Sequence, residues 1–108
     1  KEREQAGFPP YAYQAMLRAE SPHMADAIAF LATARAWPQA AEYPEVMLYD
    51  PVPMRLARRA NLERAQLLVE SPSRRVLQAF LTPWRAAVAA IKTPSRLRWH
   101  LEVDPMAF

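Results

Sequence analysis

Alternation of apolar and polar positions picks out three strands. In the first, Tyr13, Ala15, Leu17 and Ala19 share one face, and Gln14, Met16, Arg18 and Glu20 share the other. In a later run, Ala65, Leu67 and Val69 oppose Arg64, Gln66, Leu68 and Glu70. Near the end, Leu97, Trp99, Leu101 and Val103 oppose Arg98, His100, Glu102 and Asp104. A shorter strand is expected about 46–50. Pro51-Val52-Pro53 interrupts the chain after it, and a basic connection over 54–63 leads to the next strand. Helical spacing follows two of the strands. Over 22–37, Ala25, Ile28, Leu31 and Ala32 form a stripe; over 72–91, Leu77, Phe80, Leu81, Trp84, Val88 and Ile91 face inward. Pro83 inside the second helix predicts a kink or a split, because proline has no N–H to donate.

The two halves repeat at an offset of 50. Glu20-Ser21-Pro22 returns as Glu70-Ser71-Pro72, and Ala29-Phe30-Leu31 as Ala79-Phe80-Leu81. Each unit reads as a strand, a serine at the helix N-cap and a proline in the first helical position. The order is β-α-β followed by β-α-β. That predicts an α+β fold on the ferredoxin-like βαββαβ plan, with a four-stranded antiparallel sheet and two helices on one face. The open face would carry Arg18, Arg64, Gln66, Arg98 and His100.

Composition narrows the chemistry. The 108 residues suit one domain, expected over 12–108, with 1–11 as a linker in which Phe8-Pro9-Pro10 is extended. The start at Lys1 rather than Met suggests a fragment of a longer protein. The chain has no cysteine, which excludes disulfides and thiolate metal sites. No apolar run approaches a membrane span, so no membrane partner is expected. The single glycine, Gly7, cannot build a phosphate-cradling loop, so no nucleotide-hydrolysing site is expected. His23 and His100 lack metal-ligand spacing and read as surface residues. Glu102 and Asp104 share a strand face, but no nucleophile accompanies them, and capping an edge or pairing with Arg98 is the simpler reading. Trp84 and Trp99 read as core, while Trp37, at a helix end, is left open between core and stacking roles.

Charge is unevenly spread. Residues 1–54 carry 4 basic and 7 acidic side chains, and residues 55–108 carry 10 and 4, so the second half has a net +6. Nine of those ten cations are arginines, whose planar fork suits phosphate. Arg55, Arg58, Arg59, Arg64 and Arg98 are the candidate nucleic-acid contacts. With Ser71 as cap, Arg74 and Arg75 would occupy the third and fourth positions of the second helix, where cations oppose the helix dipole. Local stability does not explain them, and with Gln78 they become candidates for docking an acidic partner.

Several short motifs resemble one family. They are Pro9-Pro10-Tyr11, Leu17-Arg18-Ala19-Glu20, Asp50-Pro51-Val52-Pro53, Gln66-Leu67-Leu68-Val69 with Ser71-Pro72-Ser73-Arg74 and Leu77-Gln78, and Trp99 with Glu102-Val103-Asp104-Pro105. In order and over almost the whole chain, they resemble the C-terminal domain of the bacterial primosomal replication-restart helicases, the PriA family. Many members have glycine where Asp50 stands and aspartate where Glu102 stands. The resemblance implies a non-catalytic part of a 3′→5′ DNA helicase that reloads replication machinery at abandoned forks. ATP, magnesium and zinc would belong to upstream parts of the parent, leaving no cofactor in this chain. Implied partners are branched or single-stranded DNA, the acidic tail of the single-stranded DNA-binding protein, and the upstream helicase lobes. A monomer in the bacterial cytoplasm, at the nucleoid, is expected. Two alternatives stand beside this. One is a structural brace packed on the helicase lobes without direct DNA contact, its arginines paired to acidic neighbours. The other is a stand-alone RNA-binding ferredoxin-like module, which the open face disfavours because it offers Met16, Leu68 and His100 rather than aromatic platforms.

Overall fold

A computed structural model describes residues 13–54 and 61–103. The expected linker 1–11, Asp104, and Arg55, Arg58 and Arg59 lie outside the described residues. The elements run β1 (Tyr13–Ser21), α1 (Met24–Arg35), a 3₁₀ turn (Pro38–Glu42), β2 (Met47–Leu48), β3 (Val52–Pro53), β4 (Glu63–Ser71), α2 (Arg74–Ala89) and β5 (Arg98–Val103). The sheet is antiparallel, in the order β2-β4-β1-β5, and β3 also pairs with β4.

This is an α+β fold with five strands rather than the expected four. The second strand, expected about 46–50, is shortened to Met47–Leu48, and part of the Pro51-Val52-Pro53 segment expected to interrupt the chain pairs as a further strand. Met47 and Leu48 pair with Glu70 and Val69, the chain then leaves the sheet through Asp50 and Pro51, and Val52 and Pro53 return opposite Gln66 and Ala65. Pro53 is tolerated because β3 lies at the edge, where a missing donor breaks no interior ladder.

The alternation in β1 and β4 matches their burial. Ala15, Leu17 and Ala19 of β1 and Ala65, Leu67 and Val69 of β4 are buried beneath the helices. These six join Phe30, Leu31, Leu77, Phe80, Leu81, Trp84 and Val88 in one core. In β5, Trp99 and Leu101 are half-buried, Val103 is exposed, and Leu97 is buried just before the strand.

Both helix starts differ from expectation. Ser21 and Ser71 end the strands, and their hydroxyls accept the N–H groups of His23 and Ser73, each at 3.2 Å. The caps are His23, which makes no side-chain bond, and Ser73, whose hydroxyl accepts from Val76 N at 3.2 Å. Serine bonding two residues onward makes a turn of its own, and Pro22 and Pro72 fall inside that turn instead of inside a helix. The α1 stripe is also rotated. Ala27, Phe30, Leu31 and Ala34 are buried, while Ala25 and Ala32 face solvent. Helix α2 runs unsplit through Pro83 and buries Leu77, Phe80, Leu81, Trp84 and Val88 as its spacing predicts.

Aromatic rings join the helices. Trp84 is fully buried, lies 5.2 Å from Phe80, and donates its indole N–H to the Ala34 carbonyl at 3.0 Å. Trp37, half-buried, packs edge-on to Phe80 at 5.7 Å and stacks with Tyr43 at 6.5 Å. Trp99 leans on Phe30 at 6.1 Å.

Candidate functional site

The face away from the helices is laid out by register. At one end a row runs Arg64–Glu20–Arg98 across β4, β1 and β5; the next runs Gln66–Arg18–His100, and the third Leu68–Met16–Glu102. The fourth places Gln14 beside Glu70, with Met47 beyond it. A strand's side-chain period of two makes this arrangement automatic once one face is committed to the core.

The rows enclose a hollow of about 220 Å³ lined by Arg18, Ala19, Glu20, Arg64, Arg98, Trp99 and His100. Arg64 and Arg98, two of the predicted contacts, therefore meet in space although they lie far apart in sequence. Arg18 and His100, placed on this face by alternation, join them. Arg18 reaches diagonally to the Glu102 carboxylate and forms an ion pair and hydrogen bond with it. The expected Arg98–Glu102 pair is not formed. Among the described residues, Arg64, Arg98 and His100 make no ion pair or side-chain hydrogen bond. A neighbouring crevice of about 150 Å³, lined by Ser21, Pro22, His23, Asp26, Pro94, Ser95 and Arg96, opens where β1 meets α1. Composition flagged Arg96 only as one of many arginines, because its place depends on the loop before β5.

The far end of the face is closed internally. Gln14 donates to one Glu70 oxygen and the Tyr49 hydroxyl to the other, both at 2.7 Å. The hydrogen bond to Glu70, helped by burial and the carboxylate's charge, raises the Tyr49 pKa above its ordinary value. Glu70 is thus engaged by neutral donors, and among the described residues it forms no ion pair with Arg74.

Arg74, Arg75 and Gln78 are exposed on α2. With Ser73 as the cap, Arg74 and Arg75 take the first and second helical positions, not the third and fourth. They lie beyond Ser71, while Arg64 lies at the other end of β4. Arg64 and Ser71 are seven strand steps apart, roughly 24 Å at a strand's rise. The two predicted clusters are therefore separate surfaces. Among the described residues, no group of three His, Asp or Glu side chains could hold a metal ion, and no helix is long and apolar enough to cross a membrane.

Fold and site together define an open-faced antiparallel α+β domain with a basic hollow at one end of its sheet. The chain matches the family model described as "Primosomal protein N C-terminal domain" over residues 4–106, and it belongs to that family. It is 30% identical over 103 residues to the "Replication restart protein PriA" of Haemophilus influenzae, a match that covers 95% of this chain and 14% of that protein. Among solved structures, the "De novo designed protein Foldit4" superposes with a TM-score of 0.55 at 4% identity, covering 86% of this chain and 98% of that one. That likeness concerns the fold alone.

Proposed function

We propose that the chain is the non-catalytic, DNA-binding C-terminal domain of a replication-restart helicase, built on a ferredoxin-like plan whose second strand is broken into two pieces. The observation that carries this reading is the hollow, where three strands gather Arg18, Arg64, Arg98 and His100 and, among the described residues, only Arg18 is engaged by a carboxylate partner. Family membership supplies the biological setting, since the related Haemophilus protein is named for replication restart. Guanidinium groups on an open sheet suit a phosphate backbone, and such contacts are sequence-tolerant and salt-sensitive. Arg55, Arg58 and Arg59 would extend the path from Arg64 along the connection into β4. In this reading Arg74, Arg75 and Gln78 form a second surface, for the acidic tail of the single-stranded DNA-binding protein.

The test is a salt titration of binding to forked, duplex and single-stranded DNA, comparing wild type with Arg64→Ala/Arg98→Ala. Two lost phosphate contacts should flatten the log–log salt slope by about 1.8 on duplex DNA. An unchanged slope and affinity in a folded variant would refute the assignment.

The brace reading also has a specific observation behind it. Met47, Tyr49 and Val52 are 56%, 39% and 45% exposed along the β2–β3 edge. These apolar side chains suit packing against another part of a longer polypeptide; they line the edge beyond β4, whereas the hollow is lined by residues of β4, β1 and β5.

A further inference from the structure

We infer that the hollow is an exchange site for a nucleic-acid phosphate, in which Glu102 occupies the Arg18 guanidinium until the phosphate displaces it. This rests on the DNA-binding reading and adds a regulating residue to it. Arg18 stands directly opposite Gln66 and His100, yet it turns diagonally to Glu102 in the next row. The pairing leaves the Arg18 Nε buried and without a hydrogen-bond partner. A buried donor left unpaired costs free energy, so the closed arrangement is incomplete. The Arg18 and Glu102 side chains are 30% and 53% exposed, and ion pairs so open to water are weak enough to be exchanged. A phosphate seated in the hollow would meet Arg64 and Arg98 unpaired, with Arg18 available on release of Glu102. The hollow holds about seven water volumes, room for a phosphate group with part of its hydration. Among its lining residues only Ala19 and Trp99 are apolar, and Arg18, Arg64 and Arg98 place three guanidinium groups around it.

The experiment measures binding of single-stranded oligothymidine, inorganic phosphate and a polyglutamate peptide to wild type, Glu102→Gln, Arg18→Ala and Arg18→Ala/Glu102→Gln. Circular dichroism checks folding, and NMR follows the arginine Nε–H signals. Glu102→Gln should tighten oligothymidine binding about three- to fivefold, the range set by weak exposed pairs, and the Arg18 signal should shift on binding. The gain should vanish in the Arg18→Ala background. A gain that persists there reflects general charge and overturns the exchange role. Unchanged or weaker binding by Glu102→Gln also overturns it. If Arg64→Ala/Arg98→Ala still weakens DNA binding in that case, the proposed function stands; if that variant is also unaffected, both fall. Equal displacement of the Arg18 signal by polyglutamate, or by inorganic phosphate with no response to oligothymidine, would reassign the site to a carboxylate peptide or to free phosphate and refute the nucleic-acid source.

Discussion

Trp84 offers a sharp test of the core, because it combines a buried hydrogen bond with a large buried ring. Trp84→Phe keeps an aromatic ring beside Phe80, 5.2 Å away in the wild type, but removes the indole N–H that reaches the Ala34 carbonyl. That carbonyl also accepts the Trp37 N–H at 3.4 Å, so it is not orphaned, and the loss falls at the low end for a buried bond, about 1 kcal/mol. The missing ring atoms leave roughly 40 Å³, which at about 24 cal/mol per Å³ adds about 1 kcal/mol. The expected loss is therefore about 2 kcal/mol, or a fall in Tm of roughly 8–16 °C for a domain near this size. Trp84→Ala should lose about 3–5 kcal/mol. Urea denaturation followed by far-ultraviolet circular dichroism gives both values on the same baseline. If Trp84→Phe loses only about 1 kcal/mol, the cavity accounts for all of it, the hydrogen bond contributes nothing and the contact is packing alone.

Three further outcomes follow from the helix starts and the far end of the sheet. Ser73→Ala should lose about 1 kcal/mol with the cap of α2, whereas His23→Ser, which gives α1 the cap hydroxyl it lacks, should gain up to about 1 kcal/mol; equal stabilities by urea denaturation would contradict both. Because the hydrogen bond to Glu70 raises the Tyr49 pKa above 10.0, its stabilisation should be present below that pH and lost as pH rises through the higher folded value. Subtracting the phenolate absorbance titration of Tyr49→Phe from that of wild type should leave a midpoint above the ordinary tyrosine value, and a midpoint at or below it would refute the contact.

Where the sequence was legible, the physics was local. The period-two pattern of β1 and β4 needs only one buried face, and α2 spaces bulky Leu77, Phe80, Leu81, Trp84 and Val88 so that its phase is unambiguous. Helix α1 instead carries alanine at 25, 27, 29, 32 and 34, on every side. Alanine has too little apolar area to set a phase, so the fit of Phe30 between the sheet and Trp99 decides it. The prolines misled at both helix starts because the serine turn and the proline cap look alike in sequence. The break in the second strand depends on which Asp50 and Pro51 groups the edge can spare, a tertiary matter. The open face was readable from alternation, but the hollow was not. It requires β1 to lie against residues about 80 positions away, and the Arg18–Glu102 diagonal follows only from that register.

The repeat makes the two ends of the sheet directly comparable. In the antiparallel pairing of β1 with β4, Leu17 faces Leu67, its own counterpart at an offset of 50. A pseudo-twofold axis therefore passes between these two leucines. The same operation relates the pair Gln14–Glu70 to the pair Arg64–Glu20. Both pairs place a glutamate on β1 or β4 opposite a donor on the other strand, so their backbone geometry is equivalent. Their chemistry has diverged. At one end, Glu70 accepts from Gln14 and Tyr49, and its two oxygens are answered by neutral groups within the domain. At the other, Glu20 lies between Arg64 and Arg98, neither of which forms an ion pair with it. Two cations around one carboxylate leave positive charge in excess, and that excess is not taken up by hydrogen bonds inside the described fold. The core imposes the same strand pairing on both ends and so cannot be the reason for the difference. The arginine end therefore carries, among the described residues, cations that its symmetry mate does not.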